Sequence, residues 1–194
     1  MQIILASASP RRQELLKLIF DDFIIQTSSC EENTSFTTPS QYVMDLARQK
    51  ALDVVKAVSN IHPDSLIIGA DTIVFHENTI LGKPKDKDEA RQMITSLSGK
   101  THFVYTGICL AHSKAGKLNI HTSYACTKVR VAFLSEDEIT KYISTAEPYD
   151  KAGGYAIQGL FGKHITGIEG DYFNVVGLPV QLLYTQLKTL HLIN

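Results

Sequence analysis

Ile3-Ile4-Leu5-Ala6-Ser7-Ala8-Ser9-Pro10-Arg11-Arg12 is the stretch whose reading decides the fold class. Residues 3–6 form a short apolar run, the pattern of a strand. Residues 10–19 read as a helix with Leu15, Leu16 and Ile19 on one face. Ser9 suits the N-cap and Pro10 the first helical position. A strand that passes through a small polar turn into a helix is the opening of an α/β protein.

The rest of the chain repeats the alternation. A second helix is expected from about Gln41 to Val58, and Leu66 to Phe75 reads as a buried strand rich in β-branched residues. Asp86-Lys87-Asp88-Glu89 has a capping-box pattern and opens a third helix. Ala90, Met93, Ile94 and Leu97 share its inner face, and Gly99 stops it. Phe103–Ala111 and Leu118–Phe133 read as strands joined by the turn Lys114-Ala115-Gly116-Lys117. Ser135-Glu136-Asp137-Glu138 caps a fourth helix with Ile139, Tyr142 and Ile143 inward. A glycine-rich stretch runs from Gly153 to Gly177, and Pro179 starts a last helix. The hairpin makes the expected sheet mixed. Neither a repeat nor a linker divides the 194 residues, so one domain over 1–194 is the expectation.

Composition narrows the function classes. Lys and Arg number 19 against 20 Asp and Glu, which disfavours a strongly basic nucleic-acid binder. Hydrophobic residues at 44% and charged residues at 20% suit a globular chain rather than a disordered one. No apolar run approaches the roughly 18 residues of a membrane span, and no basic segment precedes the first apolar run as in a signal peptide. Cys30, Cys109 and Cys126 are odd in number and far apart, against a disulfide framework. A reducing, cytoplasmic setting follows.

Several residues stand where stability alone would not put them. Arg11 and Arg12 occupy a first helical turn, where the helix dipole disfavours positive charge. A helix start after a strand attracts anions, and two arginines would make it a phosphate clamp. Lys50 points nearly the same way as Val43, Ala47, Ala51, Val54 and Val58, so it either snorkels out or meets a buried anion. Asp71 interrupts the apolar strand Ile67-Ile68-Gly69-Ala70-Asp71-Thr72-Ile73-Val74 and needs a partner or a metal. Gly69 beside it would let a ligand approach the backbone. Lys83, between Gly82 and Pro84, is presented from an extended turn. Asp150, Lys151 and Gln158 are set among small residues in a long loop. His102 lacks metal-ligand spacing and is expected to be structural, while Tyr155 and Tyr172 either line a pocket or pack. Arginines, lysines, acids and an amide together make the inventory of a site for a polyphosphate with a divalent metal.

The ordered motifs resemble the Maf nucleoside triphosphate pyrophosphatases over nearly the whole chain. They are Leu5–Arg12 (LASASPRR), 69–74 (GADTIV), 81–84 (LGKP), 97–107 (LSGKTHFVYTG), 150–159 (DKAGGYAIQG) and 167–179 (GIEGDYFNVVGLP). The resemblance implies an elongated mixed sheet flanked by helices, inosine-triphosphatase-like, with two lobes around a cleft. It implies hydrolysis of a nucleoside triphosphate to monophosphate and pyrophosphate with Mg²⁺ or Mn²⁺, and suggests a homodimer. Gln158-Gly159 looks like the branch acting on dTTP and UTP. The alternatives are the 7-methyl-GTP branch, whose loop ends in Glu-Gly, and a nucleotide-binding regulator without catalysis. Two departures are Ser29, where an Asp is common, and Gly154, where an Ala is usual.

Carried onto this sequence, Glu32 and Asp71 are expected to hold the metal, with Asp71 orienting or deprotonating the attacking water. Arg11, Arg12, Lys50 and Lys83 spread along the triphosphate, and Ser7 and Ser9 contact it at the loop. The Gln158 amide offers both an acceptor and a donor, which match the carbonyl and N3–H of uracil or thymine. A carboxylate would offer acceptors only.

Overall fold

The computed structural model describes residues 1–114 and 116–193. Ala115, in the expected hairpin turn, lies outside the described residues. The elements are β1 (Gln2–Leu5), α1 (Pro10–Leu16), β2 (Ile24–Ile25), α2 (Pro39–Val58), β3 (Ser65–His76), β4 (Thr79–Leu81) and α3 (Lys87–Leu97). Then follow β5 (Thr101–Lys114), β6 (Lys117–Val131), α4 (Glu136–Ile143), three 3₁₀ turns, β7 (Ile165–Glu169), α5 (Tyr172–Val176) and α6 (Val180–Thr189).

The described strands form one mixed sheet ordered β2-β1-β3-β5-β6-β7, with β4 paired to β3. Strand β1 runs parallel to β2 and to β3, in register from Gln2 opposite Ser65 to Leu5 opposite Ile68. The pairs β3–β4 and β6–β7 are antiparallel. The α/β class with a mixed sheet is therefore as the sequence implies.

The residues gather into two compact units. The first comprises Met1–Asp71, Thr106–Ala125 and Gly177–Asn194, the second Thr72–Tyr105 and Cys126–Val176. In the first, Ala47, Ala51, Val54 and Val58 of α2 pack with Ile4, Ala6, Ile67, Cys109 and Ala111. In the second, Ala90, Ile94 and Leu97 of α3 and Ile139, Tyr142 and Ile143 of α4 surround Val104, Val129, Tyr155 and Phe161.

Two glycines set the distance between α2 and the strands beneath it. A Cβ on Gly69 would run into the carbonyl oxygen of Ala47, and one on Gly107 into the backbone of Val43. Gly69 is thus approached by a helix rather than by a ligand, which corrects the expectation. Buried strand residues flank both glycines.

Other differences are local. Helix α1 ends at Leu16, not Ile19, because the Leu18 and Ile19 amides bond three residues back, to Leu15 and Leu16 carbonyls. At α3, Asp86 caps the Glu89 amide at 2.8 Å, but Glu89 reaches back to the Lys85 amide rather than to Asp86. The reciprocal capping box is complete at Ser135 and Glu138. Strand β4 was hidden because its turn is Glu77-Asn78, both at positive φ (45° and 63°), a backbone state rare for glutamate. The glycine-rich stretch contains β7 and α5 rather than one loop.

His102 is fully buried, and its Nε2 lies 2.6 Å from the Tyr155 hydroxyl. Burial pushes its pKa down to about 3, with a smaller contribution from His76. The structural expectation for this histidine agrees with that geometry.

Two outcomes follow from packing and protonation. Gly107→Ala should cost about 1–3 kcal/mol in urea unfolding through overpacking. Gly82→Ala, with open space around its Cβ, should stay within about 0.5 kcal/mol of the parent. In the unfolded chain His102 takes up a proton near pH 6.5 that the folded protein refuses until about pH 3. The unfolded state therefore binds more protons in that window, and stability falls as pH falls through it. By pH 5 the loss from this group is about 2 kcal/mol. Urea midpoints at pH 7 and pH 5 should accordingly diverge less for His102→Gln than for the parent. His164, also shifted down by burial, contributes to both proteins and cancels in the comparison.

Candidate functional site

Helix α2 begins after Thr38 with Pro39 and buries Val43, Leu46, Ala47, Ala51, Val54 and Val58. Lys50 shares this inward side, and its side chain is only 15% exposed. It does not snorkel out. Its Nζ lies 2.6 Å from Asp71 Oδ1 and 2.8 Å from Glu32 Oε1. Asp71 sits mid-strand in β3, with a side chain 9% exposed, and the ammonium group offsets the cost of burying its charge. Glu32 is half exposed and lies in the irregular segment between β2 and α2.

That segment is fastened to α2 a second time. Asp53 Oδ2 accepts from the Ser28 hydroxyl at 2.9 Å and the Ser29 amide at 2.8 Å. These bonds, the Ser29 amide first, lower the Asp53 pKa. Sequence reasoning did not single out Asp53. Its signal was its position one turn after Lys50, which places both side chains within reach of the same neighbouring segment. Ser29 uses its backbone amide rather than its side chain for this bond.

Ser7 and Arg12 join through a hydrogen bond from Arg12 Nη1 to Ser7 Oγ at 3.2 Å. The Ser9 amide also donates to Ser7 Oγ, at 3.3 Å, and Arg12 Nε donates to the Gly177 carbonyl at 2.8 Å. Burial lowers the Arg12 pKa. The charge of Asp71 opposes that, Arg11 adds to it, and Glu32 opposes it. Arg12 thus shares an electrostatic neighbourhood with both acids. Ser9 occupies the N-cap of α1 without a side-chain capping bond, so its hydroxyl is not spent on the helix. Arg11 is half-buried beside it.

The first unit therefore gathers Ser7, Ser9, Arg11, Arg12, Glu32, Lys50 and Asp71, linked to one another by hydrogen bonds, ion pairs or charge. Lys83 and Gln158 belong to the second unit. Lys83 is exposed, in a turn held by the Gly153 amide, which donates to the Gly82 carbonyl at 2.9 Å. Gln158 is exposed in the turn that follows Tyr155. Tyr155 packs, with its ring against Phe161 and His102, and does not line an open surface. Lys151 pairs with Asp150 and donates to the Glu147 carbonyl at 3.0 Å. Gly154 has φ +72°, a conformation the usual alanine adopts only with strain.

Among the described residues no group of three or more His, Cys, Asp or Glu is clustered as for an all-protein metal cage. Glu32 and Asp71, both turned to one lysine, still fit Mg²⁺ or Mn²⁺. Such hard cations take oxygen donors, and one or two carboxylates completed by substrate phosphates and water are sufficient. The chemistry available is charge complementarity to a polyphosphate, with a buried carboxylate beside it.

The family model described as "Maf-like protein" matches residues 2–190. A protein of Agathobacter rectalis named dTTP/UTP pyrophosphatase is 51% identical over 199 residues, covering 97% of each chain. Proteins with the same name from Lachnoclostridium phytofermentans and Bacillus cereus are each 47% identical, covering 96% of this chain and 94% of their own. A nucleoside-triphosphatase / dITP/XTP pyrophosphatase structure from Mycobacterium abscessus gives a TM-score of 0.38 at 13% identity, covering 69% of this chain and 76% of its own, too slight to bear on the fold. Matched across nearly its full length by the family model and by relatives of about half-identical sequence, the chain belongs to the Maf family.

Proposed function

We propose that the protein is a metal-dependent nucleoside triphosphate pyrophosphatase acting on dTTP and UTP. The observation that carries this reading is Lys50, buried between Asp71 and Glu32 with Arg12 in the same field. A cation enclosed by two acids beside an arginine suits a ligand that brings its own negative charge and a metal. The names of the relatives at about 50% identity supply the substrate class.

In the reaction, water attacks the α-phosphorus and the bond to the α–β bridging oxygen breaks. Pyrophosphate leaves with that oxygen. Arg11, Arg12, Lys50 and Lys83 neutralise the triphosphate, and the charge gathering on the leaving group is the part whose stabilisation speeds the step. Ser7 and Ser9 add hydroxyl and amide donors at the phosphate loop. Asp71 orients the water and accepts its proton, as a general base within a largely dry setting. Glu32 and Asp71 would hold Mg²⁺ or Mn²⁺, which supplies Lewis acidity and screens the phosphates. Gln158 selects the base through its paired donor and acceptor, and cytosine is left unmatched while the amide keeps the orientation that uracil or thymine requires. A cytoplasmic setting is supported by the three cysteines, all of them free thiols.

Pyrophosphate release with dTTP, UTP, CTP, GTP, 7-methyl-GTP and ATP tests the reading directly. Turnover confined to dTTP and UTP is expected, and preference for 7-methyl-GTP would overturn the assigned base. Binding without turnover across the panel would favour the regulator instead. Asp71→Asn should lower kcat a hundredfold or more, the scale of a lost general base, with folding retained. Parent-like turnover of that variant would remove Asp71 from the chemistry. Gln158→Glu should weaken UTP relative to a guanine nucleotide.

A further inference from the structure

We infer that Glu147 is a positioning residue for base selection, holding the turn that presents Gln158; the inference rests on the role of Gln158 proposed above. Glu147 starts the 3₁₀ turn Glu147–Asp150, eleven residues before Gln158, and its carboxylate is bonded on both oxygens. Oε2 accepts from the Leu160 amide at 2.7 Å. Oε1 accepts from the Phe161 amide at 3.3 Å and lies 3.1 Å from the Tyr142 hydroxyl. These donors stand immediately beyond the turn that carries Gln158.

The turn has little freedom elsewhere. The Gly159 amide donates to Ala156 O at 3.1 Å, and the Gly162 amide to Gly159 O at 3.0 Å. A Cβ on Gly159 would collide with the Glu147 carboxyl group, so the glycine beside Gln158 lets the acid close in. Upstream, the Tyr142 hydroxyl reaches the Gly154 carbonyl at 3.0 Å, and the Tyr155 hydroxyl meets His102. Glu147 and Tyr142 therefore bridge the two ends of the segment 154–161.

Gln158 itself is exposed, so packing does not fix its direction. Its placement depends on the backbone, which the Glu147 carboxylate holds together with the turn's own amide–carbonyl bonds. Only a carboxylate offers acceptors on both oxygens. An amide of the same shape would set an N–H₂ against a backbone donor.

Steady-state kinetics of Glu147→Gln with UTP and CTP test this. The expected result is a fall of roughly tenfold or more in the UTP:CTP ratio of kcat/KM, of the size produced by small misplacements. It should come mainly through a higher KM for UTP, with kcat at saturation within about threefold of the parent because the phosphate-binding residues are untouched. Glu147→Asp, which keeps both acceptors, should recover part of the ratio. Gly159→Ala attacks the same contact from the turn and should lower the ratio alike, so the test survives if Glu147→Gln fails to fold. A lowered Tm with an unchanged ratio in the soluble variants would show a purely structural brace and overturn the inference. Gln158→Glu separates the two claims. If it shifts base preference while Glu147→Gln and Gly159→Ala do not, this inference alone fails; if none of the three shifts it, the role of Gln158 fails as well.

Discussion

Helix α2 lies against its strands with no side chain between backbone and backbone at Gly69 and Gly107. That closeness governs the charged group. Lys50 projects from the seated side of the helix, and its reach to Asp71 at 2.6 Å depends on the axis staying where the glycines allow it. Asp71 in turn is tolerable in a strand buried along most of its length because an ammonium group meets it. Asp53, one turn further along the same helix, pins Ser28 and Ser29 and so delivers Glu32 to the same lysine. Three charged groups are thus positioned by one helix and two absent side chains.

In the second unit, buried hydroxyl groups carry part of the hydrogen bonding around the segment from Gly153 to Phe161. Tyr142 and Tyr155 are buried tyrosines whose hydroxyls each find partners, and burial raises both pKa values, so they act as donors or acceptors and not as anions. The two hydroxyls hold the segment from Gly153 to Phe161 at Gly154 and Tyr155.

Much of this was written in local pattern. The apolar spacing of α2, the caps at Asp86 and Ser135, and Pro10 and Pro179 at helix starts announce elements that the structure contains. Lys50 and Asp71 stood out because each breaks an apolar pattern, and the structure pairs them. At Gly69 the sequence shows that a close approach is needed without showing what approaches. The strand β7 and helix α5 were masked by glycines that raise no local preference, and they form through pairing with β6 and tertiary packing. Asp53 and Glu147 were overlooked for a different reason. Each serves by holding backbone amides distant in sequence, and an acid in a polar context carries no mark of that task.

The turn at Gln158 separates two demands that usually compete. Its shape is secured by Glu147, whose carboxyl group fills the place a side chain at Gly159 would take, while the side chain at its tip is exposed and supports no core packing. Exchanges at such a position cost a fold little. A change in what the tip displays therefore draws on no reserve of stability, whereas a side chain at Gly159 would first have to displace the Glu147 carboxyl group.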